Sequence, residues 1–393
     1  MLHYDPFSEE VMTDPHRIYR RLRDEAPVYH LEKFDAWALS RFHDIWEASS
    51  DPRFSTARGT TSSHVLTRTQ PVTPMLNLLD PPDHTRLRAA LRPAFLPKAV
   101  QALEPVMREL VRDWLDESAE RGVCDGVGDL SARLSVRVAC MAIGIPLADA
   151  PLMHQLVWRF FGREPDVDGM TADGLAAAQE LIEYFVRLVG ARRRVGDRTT
   201  DVVNLFRDFE LNGRRFADDE IASHLSMLII GGSETFPKTF ANAVWRLAEH
   251  PDQRAACAAD PSLVPDAYLE ALRYDMPTQF LCRTLREDVE LHGQTMRAGD
   301  GVLFLYASAN RDEREFPDPD RFDIRRRPPR ILSFGAGIHA CLGLHVARME
   351  GKVCLEELLA RFPDYEVDAA GAVRLRTEFV QGFAALPIRL RPR

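Results

Sequence analysis

Apolar residues recur three or four apart over seven stretches of the chain: 14–26, 98–120, 129–143, 175–194, 218–249, 262–274 and 342–361. That period matches one face of an α-helix, so each stretch predicts a helix with a buried stripe. Pro or Asp bounds several of them, as helix ends require. Strand-like patterns are shorter, around 27–40, 280–292, 301–306 and 373–390, and the last pairs two apolar runs as a late hairpin does. Residues 55–77, rich in Thr, Ser and Pro, predict a long loop of the kind that carries function or moves. The fold class is mainly α with a small β part. No repeat or low-complexity tract interrupts it.

Composition narrows what such a fold can do. The chain has 393 residues, 45% hydrophobic and 28% charged, enough apolar material to enclose a cofactor and a substrate. Fifty-nine acidic against 50 basic residues give a net charge of −9, which excludes a nucleic-acid binder reading through a basic face. No stretch approaches the roughly 20 apolar residues that span a bilayer. The longest aliphatic run of interest, Leu225 to Ile230, is interrupted by Ser226 and ends at Gly231-Gly232. Acidic residues and early prolines occupy the N-terminus where a signal peptide needs an apolar core. The expectation is a cytoplasmic chain with no membrane anchor. Six cysteines, at 124, 140, 257, 282, 341 and 354, form no CxxC pair and suit a reducing compartment.

One cysteine stands in a loop unlike the others, Phe334-Gly335-Ala336-Gly337-Ile338-His339-Ala340-Cys341-Leu342-Gly343. Glycines let its backbone approach a large planar group closely. A helix starting just after Cys341 would offer the positive end of its dipole to a thiolate, and Phe334 can shield the sulfur. Taken alone, a lone cysteine is more often core than ligand. A zinc site built from His339, Cys341, His345 and Cys354 has the wrong spacing. The whole loop, however, resembles the cysteine-ligand loop of the cytochrome P-450 family at Phe334, Gly337, His339, Cys341 and Gly343.

Three further segments follow the same order. Gly231-Gly232-Ser233-Glu234-Thr235 lies mid-helix, where an acid and a hydroxyl are costly unless satisfied or used. Glu270-Ala271-Leu272-Arg273 places an acid and a base on one helix face. Asp80-Pro-Pro-Asp-His84-Thr-Arg-Leu-Arg88 puts two cationic donors four apart, suited to carboxylates. All three are similar to family segments, and the resemblance covers nearly the whole chain, read as one domain over 1–393.

The resemblance implies a haem-thiolate monooxygenase with heme b (iron protoporphyrin IX), and Cys341 as both metal ligand and cofactor contact. It implies Gly231 and Gly232 over the distal haem face, with Glu234 and Thr235 delivering protons to bound oxygen. His84, Arg88, Arg283 and His339 would hold the propionates, with Phe334, Gly335 and Gly343 around the ligand. Glu270, Arg273 and Arg321 would form a structural network, Arg321 coming from Phe316-Pro-Asp-Pro-Asp-Arg321-Phe322. Met227, Ile230, Gln279, Leu281, Phe379 and Val380 would line the pocket for a medium-sized hydrophobic small molecule. Residues 60–79 and 150–175, with Trp158, Phe160 and Phe161, would cover it.

Oxygen (O2) and electrons complete the reaction. The scattered cysteines offer no iron–sulfur ligand set, so a separate ferredoxin and ferredoxin reductase are the expected donors. Arg92, Arg325, Arg326, Arg327 and Arg330 could steer an acidic partner. Three rivals share the fold: a hydrogen-peroxide-driven peroxygenase, a non-catalytic haem carrier or sensor, and a haem-free module. Glu234-Thr235 argues against the first, and the intact cysteine loop against the last. One departure from the family pattern is Phe236-Pro237. Pro237 has no N–H for the Ser233 carbonyl, which predicts a bend beside the oxygen site.

Overall fold

The structure is a computed structural model describing residues 2–69, 73–164, 167 and 170–391. Helices dominate it. Those that position the site are α1 (Asp83–Leu91), α2 (Glu104–Arg121), α3 (Ala132–Ile143), α4 (Ala150–Phe160), α5 (Ala172–Val195), α6 (Asp218–Ser233), α7 (Thr235–Glu249), α8 (Val264–Tyr274) and α9 (Leu344–Arg361). Five strands, β1 (Val28–Leu31), β2 (Ala36–Leu39), β3 (Phe54–Ser55), β4 (Leu281–Leu285) and β5 (Gly301–Phe304), make one sheet in the order β1-β2-β5-β4-β3. Only the β2–β5 pairing is parallel, with Val302 opposite Trp37.

Each predicted helical stretch is helical, with two informative breaks. The 98–120 pattern divides into Pro97–Gln101 and α2, because Pro105 fits the first turn of a new helix but not the interior of an old one. The 218–249 pattern divides into α6 and α7 at Glu234 (φ −100°, ψ −39°). Helices at 150–160, 202–208 and 251–259 were not foreseen. The C-terminal hairpin is real but shorter than 373–390: Val373–Leu375 pairs with Gly382–Ala385. Pro387–Arg389 instead joins Val123–Asp125 and Glu366–Val367.

Three apolar clusters fill the interior. One packs α2, α7, α8 and α9; a second lies under the five-stranded sheet; a third gathers α3, α4, α5 and α6. The break between α6 and α7 falls where the first and third clusters meet. Among the described residues, no helix is long and apolar enough to cross a membrane.

Candidate active site

The cysteine loop is built to turn tightly. Gly335 and Gly337 both take φ of 66°, and a Cβ on Gly337 would sit 2.2 Å from the Ser49 carbonyl oxygen. That approach excludes any side chain there. The Cys341 N–H donates to the Phe334 carbonyl at 2.7 Å, closing the loop just ahead of α9. Five of the six cysteines are buried; Cys341 instead opens onto an interior cavity of about 360 Å³. Enclosure pushes its thiol up, while the Gly343 N–H and the Arg88 guanidinium favour the thiolate.

Across the cavity lie α6 and α7. Pro237 removes the donor for the Ser233 carbonyl, and the Ser135 hydroxyl of α3 replaces it at 2.9 Å. The predicted bend is therefore a full interruption with its orphaned acceptor satisfied from outside the helix. Gly231, Gly232 and Thr235 line the cavity. A Cβ on Gly231 would meet nothing within 4 Å, whereas on Gly232 it would press Ala139 at 3.3 Å. Glu234 is turned away from the cavity and pairs with Lys238 at 3.1 Å. Burial pushes its carboxyl up, against the pull of Lys238 and then Arg163.

Four donors gather at one end of the cavity: His84 and Arg88 from α1, Arg283 from β4, and His339 from the cysteine loop. The two imidazoles lie 4.2 Å apart. Burial lowers the pKa of His84 and holds His339 down to about 3, so both are neutral. Both ring nitrogens of His84 are buried without a partner among the described residues. Arg88 donates to the Ala340 carbonyl, and Arg283 to the Cys282 carbonyl at 2.8 Å. Neither arginine has an ion-pair partner among the described residues. Buried donors without acids fit a ligand that brings its own carboxylates. Apolar walls, a cysteine sulfur and a carboxylate-seeking end together fit haem.

The Glu270–Arg273 pair is present, bidentate at 2.8 Å with both side chains buried. Its third member is a correction. Arg321 has a side chain 66% exposed and pairs with Asp323, so it is outside the network. Arg326 reaches Glu270 instead, at 3.2 Å with a side chain only 9% exposed. The turn at Asp323, whose N–H also donates to Glu270 at 3.0 Å, brings the later arginine inward. Arg321 contributes only its carbonyl, which accepts from Arg326 at 2.8 Å and from Arg273 at 3.5 Å. The Arg325-Arg326-Arg327 run was the available signal, read as surface. Of the five proposed steering residues, Arg326 is thus internal. Arg327 pairs with Asp266 at 2.6 Å and Arg330 with Glu315 at 2.8 Å. Arg92 and Arg325 are exposed.

Of the six proposed pocket residues, Met227 and Leu281 stand on the cavity wall; Ile230, Gln279, Phe379 and Val380 do not. Gln279 is consumed structurally, donating to the Met276 carbonyl at 2.9 Å and accepting from the Tyr19 hydroxyl at 3.3 Å. Val380 is buried, its N–H donating to Thr377 at 3.0 Å, and the Phe379 ring lies 6.3 Å from Phe280. Phe95, Leu228 and Met276 line the wall and were missed, while Leu76 and Asn77 line it from within the expected 60–79 cover. The signal of Phe95 and Met276 is tertiary, since one lies in a turn after α1 and the other beyond the end of α8, whereas Leu228 lies on α6 beside the expected Met227. Within the expected cover, residues 70–72, 165, 166, 168 and 169 lie outside the described residues. Phe160 and Phe161 meet edge to face at 5.1 Å, and Trp158 is half exposed. Glu378 joins two covering segments, accepting from Ser62 at 2.9 Å and pairing with Arg163 at 3.3 Å.

Comparison with known proteins agrees with this geometry. The sequence model of the cytochrome P450 family matches residues 152–387. A putative cytochrome P450 123 of Mycobacterium tuberculosis is 38% identical over 394 residues, spanning 99% of this chain and 97% of the relative. The chain belongs to the cytochrome P450 family. A vitamin D(3) 25-hydroxylase of Pseudonocardia autotrophica is 34% identical, covering 99% of this chain and 97% of that one. Among solved P450 structures, CYP109E1 from Bacillus megaterium in complex with testosterone superposes with a TM-score of 0.88 at 28% identity, covering 98% of this chain and 100% of that one. The protein is therefore a P450 monooxygenase, and its cofactor is haem, iron protoporphyrin IX.

Proposed function

We propose that Cys341 is the protein ligand of the haem iron, and that this P450 inserts one atom of O2 into a medium-sized hydrophobic molecule using electrons from a separate ferredoxin and its reductase. The observation that carries the ligand assignment is that Cys341 alone among six cysteines opens onto the cavity, opposite Gly231 and Thr235. Haem supplies oxygen binding and activation when bound, and a thiolate ligand favours O–O cleavage.

The chain's own residues do the rest. The Gly343 N–H and Arg88 stabilise the thiolate, and Phe334 shields it. His84, Arg88, Arg283 and His339 bind the two propionates, which answers the unpartnered nitrogens of His84. Gly231, where a Cβ would meet nothing within 4 Å, would leave room in the cavity beside a bound cofactor. Thr235 on the wall and Glu234 beside it hold and pass protons toward oxygen, directly or through one water. Met227, Leu228, Leu281 and Phe95 exclude water and favour an apolar substrate. The relatives named for vitamin D(3) 25-hydroxylation and solved with testosterone support a bulky apolar substrate class. Exposed Arg92 and Arg325 supply positive charge for an acidic electron carrier.

The test is spectroscopic. Reduced protein with carbon monoxide should show the red-shifted band of a thiolate ligand, and Cys341→Ala should lose it. A Cys341→Ala protein that kept the band would refute the ligand assignment. Product formed with ferredoxin, reductase and NADH, but not with peroxide alone, would support the electron route.

A further inference from the structure

Lys238 is a charged residue with 1% exposure, one turn beyond Glu234 on the same helix. A lysine buried so completely needs a partner. Its Nζ lies 3.1 Å from Glu234 Oε1, with side chains 2% and 8% exposed. Two neighbours fix it there. The Trp158 ring of α4 lies 5.5 Å from Nζ. On another side the hairpin backbone presses close: a Cβ on Gly382, which has φ of +145°, would stand 2.7 Å from Lys238 Cβ. Such a stem has little freedom to swing away.

We propose that Lys238 is a positioning residue that governs when Glu234 takes up and releases a proton; this rests on the reading of Glu234 as proton donor. Burial opposes a charged carboxyl here, and Lys238 is the largest influence on the other side, followed by Arg163. Glu234 also sits at the N-terminus of α7, where the helix dipole favours a carboxylate. The titratable groups facing the pair are Arg163, itself bound to Glu378 on the cover, and His154 of α4, whose pKa is lowered first by burial and then by Lys238. Arg163 belongs to a covering segment. Lys238 is carried by the acid's own helix, so it stays beside Glu234 whether or not the cover opens.

A donor acid must be able to lose its proton as well as hold it. The proton leaves the Glu234 carboxyl toward the cavity by way of the Thr235 hydroxyl or a water, and the Lys238 ammonium neutralises the carboxylate left behind. A solvent proton then restores the acid, and no electrons move in this exchange. Without the ammonium, burial would keep the carboxyl protonated to higher pH and make it a weaker donor.

The experiment measures product per NADH and peroxide release against pH in haem-loaded Lys238→Met and Lys238→Arg proteins. In Lys238→Met the pH at which coupling is half lost should rise by about one unit or more, a tenfold change in proton affinity. The plateau of coupling below that midpoint should fall, because the carboxyl is then the weaker donor. Lys238→Arg should keep the wild-type midpoint. Should Lys238→Met fail to load haem, Lys238→Gln removes the charge but keeps a donor, with the same expectation. Loss of turnover at every pH with an unmoved midpoint would mean a merely structural lysine and overturn the proposal. Glu234→Gln separates the two readings. If it couples like wild type, the proton-donor reading fails; if it abolishes the midpoint while Lys238→Met leaves it in place, only the role of Lys238 fails.

Discussion

Two sets of charged and polar side chains, one around Glu270 and one at the end of the cavity, are finished to different degrees. Around Glu270 every group has its partners: Arg273 and Arg326 on the carboxylate, the Asp323 N–H beside them, and the Asn310 and Pro319 carbonyls on Arg273 at 2.9 Å. Around the cavity, among the described residues, His84 has two unpartnered nitrogens, and Arg88 and Arg283 find carbonyls but no acid. A charge that holds a fold is satisfied within the chain. A charge that holds a ligand is left incomplete, because the ligand must supply the missing half.

The largest expected break in this contrast is Glu270→Ala. It strands two buried guanidiniums and should cost about 3–5 kcal/mol, measured by denaturant unfolding, with haem content falling alongside. Full stability would mean that the network is dispensable. The corrected third member sharpens the point. Arg326→Ala should cost about 1–3 kcal/mol, while exposed Arg321→Ala should stay within about 0.5 kcal/mol. The reverse order would restore Arg321 to the network.

On the incomplete side, Arg283→Leu should leave the haem-free protein as stable as wild type or slightly more so. Its haem should nevertheless transfer faster to a scavenging protein. Loss of apo stability without faster haem loss would make Arg283 structural. The last effect belongs to the helix break. Pro237→Ala restores a backbone donor to the Ser233 carbonyl, so its stability change should be under about 1 kcal/mol. Ser135→Ala alone should cost about 1–3 kcal/mol by orphaning that carbonyl, and much less in the Pro237→Ala background. Additive costs would show that the hydroxyl is not the substitute donor.

What could be read from the sequence was what the chain carries contiguously. The Cys341 loop, the His84-to-Arg88 spacing and the Glu270–Arg273 pair each lie within one turn or loop, so local rules reach them. Pro237 was legible for the same reason, since a missing N–H has a definite consequence four residues back. The replacement donor was not, because Ser135 sits on a helix about 100 residues earlier. Arg326 failed for a related reason: three arginines in a row look like surface, and only the turn at Asp323 selects the one that points inward. The cavity wall was the least legible part. Gln279 and Val380 adjoin residues near the site, but hydrogen bonds to Tyr19 and Thr377 commit them to the scaffold.

The interruption at Glu234 also divides a long rod into two levers. The first, α6, bears on α5 and α3, beneath the covering segments; the second, α7, bears on α8, α9 and the turn at 126–131. Between them the join is one peptide stretch and a hydroxyl borrowed from α3. An unbroken helix would transmit any tilt of its cover-side half straight through to the cysteine side. Here the two halves answer to different neighbours, so Thr235 and Lys238 take their footing from α8, α9 and the turn at 126–131 rather than from the cover-side half.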